Sequence, residues 1–149
     1  MNDRDDRGGA ILEFVFVAVI MLVPLTYLVA AVATVQRSRL AVGDAARNAG
    51  RAFATSETSE EAVRRVRTAV RLALADAGLP DDAQLRFVAA GQGCDAPPVV
   101  PRLAAGAEFT VCISRRADVP GVPSLLAGRG IRTVGAYVVH IDDYRVVRP

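Results

Sequence analysis

The sequence predicts an α+β, single-pass membrane protein, in which a long N-terminal helix and a second amphipathic helix precede a small antiparallel β-sheet. Three observations carry this prediction: an uncharged run over residues 14–35, apolar residues at helical spacing up to residue 79, and short β-branched stretches after residue 81. The chain has 149 residues and is 52% hydrophobic but only 5% aromatic. This length allows one small domain beside the membrane span.

The first element is a transmembrane helix over residues 9–35. Between residues 10 and 35 the only charged residue is Glu13, and at about 1.5 Å per residue this stretch reaches about 39 Å, more than the roughly 30 Å of a bilayer's hydrocarbon core. Pro24 lacks an amide hydrogen, so we expect a helix kink there. We expect Thr26 or a neighbouring chain to satisfy the carbonyl that Pro24 leaves free.

We predict a helical stalk and a second helix over residues 36–79. No proline or pair of glycines lies between Val35 and Phe53, so the first helix can continue. Its apolar face there is formed by Leu40, Val42, Ala45, Ala46, Ala49 and Phe53. Thr58 and Glu61 fit a capping box, in which each side chain satisfies a backbone amide of the next helix. Gly78 and Pro80 end that helix.

Residues 80–149 predict a small β-rich domain. The β-rich stretches are residues 84–90, 108–114 and 132–141, and we expect residues 144–147 to extend the last of them. The connections at 91–106 and 118–130 are long for so small a domain, and we expect them to be surface-exposed or partly disordered.

The charge distribution excludes a nucleic-acid partner. All 18 basic residues are arginine, 16 residues are acidic, and the net charge is +2. No segment is strongly basic, and the few aromatic residues are not interleaved with arginine, as they would be on a nucleic-acid surface.

Glu13 requires an explanation, because a carboxylate in a membrane span costs roughly 2.5 kcal/mol or more at mid-bilayer. One explanation is that Glu13 lies one turn inside the boundary and reaches the headgroups. The other is a partner within the membrane. A free α-amino group of a neighbouring subunit would neutralise the carboxylate and set the axial register between the two chains.

The segment from Gly8 to Phe14, GGAILEF, favours the second explanation. It resembles the class III signal of type IV pilin-like proteins, in particular the Flp type, where the glutamate is followed by an aromatic residue. Residues 7–53 are most similar to TadE-like minor pilins, or pseudopilins, of Tad (Flp) pilus systems. Residues 44–52 are similar to the family's "aAReGaRaa" stretch, except that Asn48 stands where the family often has Glu.

The resemblance implies that residues 1–8 are a leader, which a prepilin peptidase removes between Gly8 and Gly9. Glu13 would then be the fifth mature residue, and Glu13 and Phe14 would serve assembly. The implied partners are other pilin-like subunits, Tad assembly proteins and the membrane. Because major Flp pilins are much shorter, the added domain favours a minor pilin or assembly factor, which serves adhesion, biofilm formation or secretion.

The same resemblance implies that the protein lies in the bacterial cytoplasmic membrane. Its N-terminus would be in the cytoplasm and its C-terminal domain outside this membrane. The arginine count contradicts it: Arg4 and Arg7 precede the span, whereas four arginines follow it, at Arg37, Arg39, Arg47 and Arg51. The positive-inside rule alone would therefore place the C-terminus in the cytoplasm. The rival interpretation is a single-span anchor with an extracytoplasmic binding domain and no pilus role.

The cysteines, Cys94 and Cys112, have two interpretations. Outside the cytoplasm we expect a disulfide between them, and inside it two buried thiols. Their spacing suits no metal site, and no cofactor motif is present in the sequence.

A third interpretation is a membrane-anchored hydrolase that uses His140. His140 is the only histidine and is followed by Asp142 and Asp143. A membrane-anchored hydrolase would need Ser114, His140 and Asp142 to converge, and nothing in the sequence aligns them. The predicted protein is therefore not an enzyme.

Overall fold

The computed structural model describes residues 6–118 and 130–145, and its fold is α+β. Three strands form an antiparallel sheet in the order β1-β2-β3, and a long first helix packs against both this sheet and a second helix. The elements in chain order are α1 (Asp6–Ala54), α2 (Ser59–Asp76), β1 (Gln84–Ala89), β2 (Glu108–Ala117) and β3 (Ile131–His140). The expected long helix, second helix and small antiparallel sheet are thus confirmed.

Helix α1 has 49 residues and continues through Pro24. The Thr26 hydroxyl donates to the carbonyl of Leu22 at 2.8 Å, whereas the carbonyl that Pro24 leaves free is that of Ile20. The expectation that Thr26 satisfies the freed carbonyl is therefore wrong. The reason is that a helical threonine reaches the carbonyl four residues before itself, which here lies two residues beyond the one affected by proline.

The hydrophobic core lies between the C-terminal part of α1, α2 and one face of the sheet. Leu40, which was expected on the apolar face of α1, is 70% exposed. Phe53 packs against Phe87 and Phe109, with ring centroids 6.0 and 4.8 Å away. The helix residues buried in the core are Ala41, Val42, Ala45, Ala46, Ala49 and Phe53 of α1 and Ala62, Val66, Val70 and Leu74 of α2.

The ends of α2 follow from local hydrogen bonds. Thr58 Oγ1 accepts from the amide of Glu61 at 3.2 Å, but the Glu61 carboxylate accepts from the amide of Glu57, one residue before the expected one. Only half of the predicted capping box is therefore present. At the other end, Gly78 adopts φ +66°, and the amide of Leu79 donates to the carbonyl of Leu74 at 2.9 Å, as in a Schellman motif.

Strand β2 extends to Ala117, beyond its predicted end at residue 114, because it pairs with β3 as far as Ile131. No strand follows β3 in the described residues, so the expected extension is wrong at residues 144 and 145. The reason is a turn, in which the amide of Tyr144 donates to the Asp142 carboxylate at 2.9 Å. Residues 146–147 lie outside the described residues.

The connection 91–106 is held to the sheet at three points. A disulfide joins Cys94 to Cys112, with Cα atoms 5.7 Å apart. The amide of Val99 donates to the carbonyl of Phe87 at 2.9 Å, and Leu103 is only 8% exposed, within the core. Most residues of this connection are exposed, as expected, and Leu103 is the one buried residue among them. Most of the connection 118–130 lies outside the described residues.

Strand β3 runs parallel to α1 and in close contact with it. The Ser38 hydroxyl is 2.8 Å from that of Thr133, and a Cβ at Gly135 would overlap the backbone of Val42 and Gly43. Further along, a Cβ at Gly50 would overlap the ring of Tyr137. At these contacts the residue numbers increase in the same direction along both elements, so α1 and β3 run parallel.

We expect Gly135→Ala to lower the free energy of unfolding by about 2 kcal/mol, because the added methyl group would push α1 away from β3. The measurement is chemical unfolding of the full chain in detergent, followed by circular dichroism. Gly43→Ala is the matched control: its Cβ would meet nothing within 4 Å, and alanine favours a helix over glycine. Equal destabilisation by the two variants would contradict the close packing.

Reduction of the disulfide is expected to destabilise the sheet domain by about 3 kcal/mol, because the closed loop spans a sequence separation of 18 residues. The measurement compares the thermal midpoint of the protein with and without a reductant. Cys94→Ser/Cys112→Ser is the control, and its midpoint should not respond to the reductant. An unchanged midpoint on confirmed reduction of the unmodified protein would refute the prediction.

Candidate membrane-anchoring and assembly surface

The N-terminal part of α1 projects from the packed domain. From Ile11 to Arg37 no residue is buried, and Ser38, which follows this stretch, is buried. We call residues 11–37 the projecting segment; it measures about 40 Å at 1.5 Å per residue. By length and composition α1 is compatible with a membrane-spanning helix.

The projecting segment is apolar on all its sides. Its large side chains are widely exposed, with Leu12 at 73%, Phe14 at 75% and Met21 at 72%. An apolar surface of this extent is unfavourable in water, because monomeric soluble proteins rarely expose more than a few hundred Å² of contiguous apolar area. Such a surface is compatible with lipid or other apolar helices around the segment.

Glu13 and Phe14 lie near the free end of this segment. Glu13 is exposed and makes no hydrogen bond or ion pair with another described residue. It precedes Ser38 by 25 residues, or about 38 Å along the helix. Gly8 and Gly9 both lie within α1, so the predicted processing site, Glu13 and Phe14 occupy successive turns of one helix. The carboxylate therefore has no partner in the described part of its own chain.

A polar cluster lies where the projecting segment meets the domain; Ser38, Arg115 and Thr133 are buried, and the Asp82 side chain is 44% exposed. The Arg115 side chain is 5% exposed, and its guanidinium donates to both Asp82 carboxylate oxygens, at 2.9 and 3.1 Å. It also donates to Ser38 Oγ at 3.1 Å. Thr133 completes the cluster through its hydroxyl, 2.8 Å from that of Ser38. We call these four residues the junction cluster.

The junction cluster fixes the helix to the sheet at the point of exit. Because a buried guanidinium needs a paired carboxylate and further hydrogen bonds, displacing Ser38 would leave one donor unsatisfied. Sequence reasoning missed these residues. Arg115 follows Ile113 at the two-residue spacing of one strand face, so an extended β2 would have predicted that Arg115 points inward.

The far end of α1 is also secured. The Arg145 guanidinium donates to the carbonyl of Ala54, one of the acceptors that the end of a helix leaves without a partner, and to the carbonyl of Ser56 in the turn that follows. The packed half of α1 is therefore held by hydrogen bonds at both ends.

The residues of the hydrolase alternative do not converge. His140 Nδ1 lies 3.0 Å from Glu108 Oε1, and His140 Nε2 lies 3.8 Å from Asp143 Oδ2. Ser114 pairs with Val134, six residues before His140 on β3, which is about 20 Å along a strand. Among the described residues, no group of three or more His, Cys, Asp or Glu side chains is arranged to hold a metal ion.

Comparisons with protein families, curated proteins and solved structures found no match for this chain.

Arg115→Gln is expected to lower the free energy of unfolding by about 2 kcal/mol, because it breaks the pair with Asp82 and the bond to Ser38. Arg86→Gln is the matched control, since Arg86 lies exposed on the neighbouring strand β1. Its effect should stay within about 0.5 kcal/mol. Chemical unfolding of both variants checks this prediction, and similar stability of the two would count against the junction cluster.

Proposed function

We propose that this protein is a minor pilin, or pseudopilin, or an assembly factor of a Tad-type pilus, anchored in the bacterial cytoplasmic membrane by its projecting segment. The observation that carries the proposal is the projecting apolar segment, which bears the Gly8–Phe14 motif at its free end. A helix with one half in a folded domain and the other half free of that domain suits a subunit that packs side by side with similar helices.

In this proposal, Glu13 sets the axial register between neighbouring subunits. After cleavage between Gly8 and Gly9, the α-amino group of Gly9 on one subunit pairs with the Glu13 carboxylate of its neighbour. Water does not screen such a pair inside the membrane or a helical bundle, so a misplaced neighbour leaves a charge uncompensated. The absence of any partner for Glu13 in the described part of its own chain supports this role.

The β-rich domain faces the exterior in this proposal, and it serves adhesion, biofilm formation or secretion. The Cys94–Cys112 disulfide suits an oxidising compartment. The junction cluster gives the domain a defined orientation relative to the helix, so subunits that pack through their helices present their domains in a regular array.

Processing tests the proposal most directly. The intact mass of the protein from native membranes, measured with and without the host's prepilin peptidase, should differ by residues 1–8. Gly8→Val should keep the full mass even with the peptidase present. Retention of residues 1–8 under all conditions would favour the rival, a single-span anchor with an extracytoplasmic binding domain and no pilus role.

Assembly is tested separately by Glu13→Ala. We expect this variant to be processed and inserted normally but to be recovered with pilus components at about one tenth of the normal level or less, because one missing buried ion pair is worth more than about 1.4 kcal/mol. Glu60→Ala is the control, since Glu60 is exposed on α2, outside the projecting segment. Normal incorporation of the Glu13 variant would overturn the register role.

A further inference from the structure

Strand β3 lies at the end of the sheet and has one edge without a partner strand. The strand order is β1-β2-β3, so one side of β3 pairs with β2 and the other side pairs with no strand of the described chain. The pairing with β2 covers all 10 residues of β3 in one-to-one register, without a bulge. The open edge is therefore long and regular, a form that another strand can extend.

A hydrogen bond just beyond β3 shows which backbone groups point to this edge. The amide of Ile141 donates to the carbonyl of Ala107, on the β2 side, at 2.9 Å. In an antiparallel pair, the backbone groups of successive residues alternate between the two sides of a strand. Within the described residues, the backbone groups that point away from β2 have no hydrogen-bond partner. They belong to five exposed residues, which we call the edge residues: Arg132, Val134, Ala136, Val138 and His140.

The other edge of the sheet, on β1, is closed. By the same alternation, Phe87 points its backbone groups away from β2, and its carbonyl accepts from the amide of Val99 at 2.9 Å. The carbonyl of Ala89 accepts from the amide of Gln92 at 3.1 Å. The covering segment reads PPVVP at residues 97–101, and its prolines have no N–H to offer to a further strand. The chain thus protects one edge of its sheet and leaves the other open.

The centre of the open edge is apolar. Val134 and Val138 are 42% and 53% exposed, and Ala136 between them is also exposed. Helix α1 leaves these side chains uncovered, because it contacts the alternate residues of β3, such as Thr133 and Gly135, on the other face. Natural sheet edges commonly carry a charge, a proline or a bulge that prevents pairing. None of these lies between the two valines.

We propose that the open edge of β3 binds an extended strand of a partner protein. The added strand hydrogen-bonds to the edge residues and places apolar side chains, at every second position, beside Val134 and Val138. A row of unpaired backbone donors and acceptors is complementary to another strand. A helix offers no such row, because its backbone groups bond to one another. The partner therefore contributes a strand, either from the edge of its own sheet or from an extended tail.

A second copy of this chain fits the edge poorly. Its β1 edge is closed, and two β3 edges that pair with two-fold symmetry are antiparallel. Because β3 runs parallel to α1, the two projecting segments would then point in opposite directions, and one membrane could not hold both from the same side. This exclusion rests on the membrane insertion that the proposed function requires, whereas the open edge itself does not depend on it.

The test measures amide hydrogen exchange in the fragment that contains residues 131–140, by mass spectrometry. It compares the full chain in the host's native membranes with the same chain purified in detergent. We expect the amides of the edge residues to exchange about tenfold more slowly in native membranes, because the added strand accepts hydrogen bonds from them.

Ala136→Pro should abolish this difference, since proline removes the central donor of the open edge and spares the bonds to β2. Ala89→Pro is the matched control: the backbone of Ala89 points to the closed edge of β1, and this variant should keep the slow exchange. Val134→Lys/Val138→Lys leaves the backbone intact and places charges beside the edge, so it should act like Ala136→Pro. The thermal midpoint of each variant shows whether its fold persists.

Three results would overturn the inference. Equal exchange in membranes and in detergent would show that no strand covers the edge. Slow exchange that survives in Ala136→Pro and in the double lysine variant would assign the cover to a surface that does not pair as a strand. Slow exchange that develops in the purified protein as its concentration is raised would assign the edge to a second copy. The processing of residues 1–8 is measured separately as intact mass, so failure of the proposed function is distinguishable from failure of this site.

Discussion

The close contact between α1 and β3 is the constraint on which the rest of the structure depends. Gly135 lets the backbone of α1 approach the strand at Val42 and Gly43, and Gly50 leaves room for the ring of Tyr137. This contact aligns the long helix with the sheet. It also brings Ser38 to Thr133, so that a buried arginine from β2 can bridge the helix and the sheet.

The alignment divides α1 into two parts with different surroundings. Beyond residue 38 the helix supplies small side chains to a core that it shares with α2 and the sheet, whereas none of residues 11–37 is buried. The small residues of the packed part permit close approach, whereas the large apolar residues of the projecting segment suit lipid or neighbouring helices. One helix thus combines a half that is packed in the domain with a half whose apolar surface is exposed.

Much of this arrangement could be predicted from the sequence. The length and hydropathy of residues 14–35 predicted a long apolar helix, and period-two stretches predicted the sheet, because both signals are local. The expected Thr26 bond, the complete capping box and a strand at residues 144–145 were wrong. In each case two or more hydrogen-bond partners lie close together in the chain, and the sequence pattern does not show which of them is used. The turn at Asp142 is an example.

The sequence by itself therefore determined the element types, the uncharged segment and the unusual position of Glu13, since each depends only on residues close together in the chain. Only the tertiary structure decided that Ser38, Asp82, Arg115 and Thr133 form one cluster, and that the edge of β1 is closed while that of β3 is open. These relations join residues as much as 95 positions apart. They depend on strand register and on the packing of a helix against a strand, which no local pattern specifies.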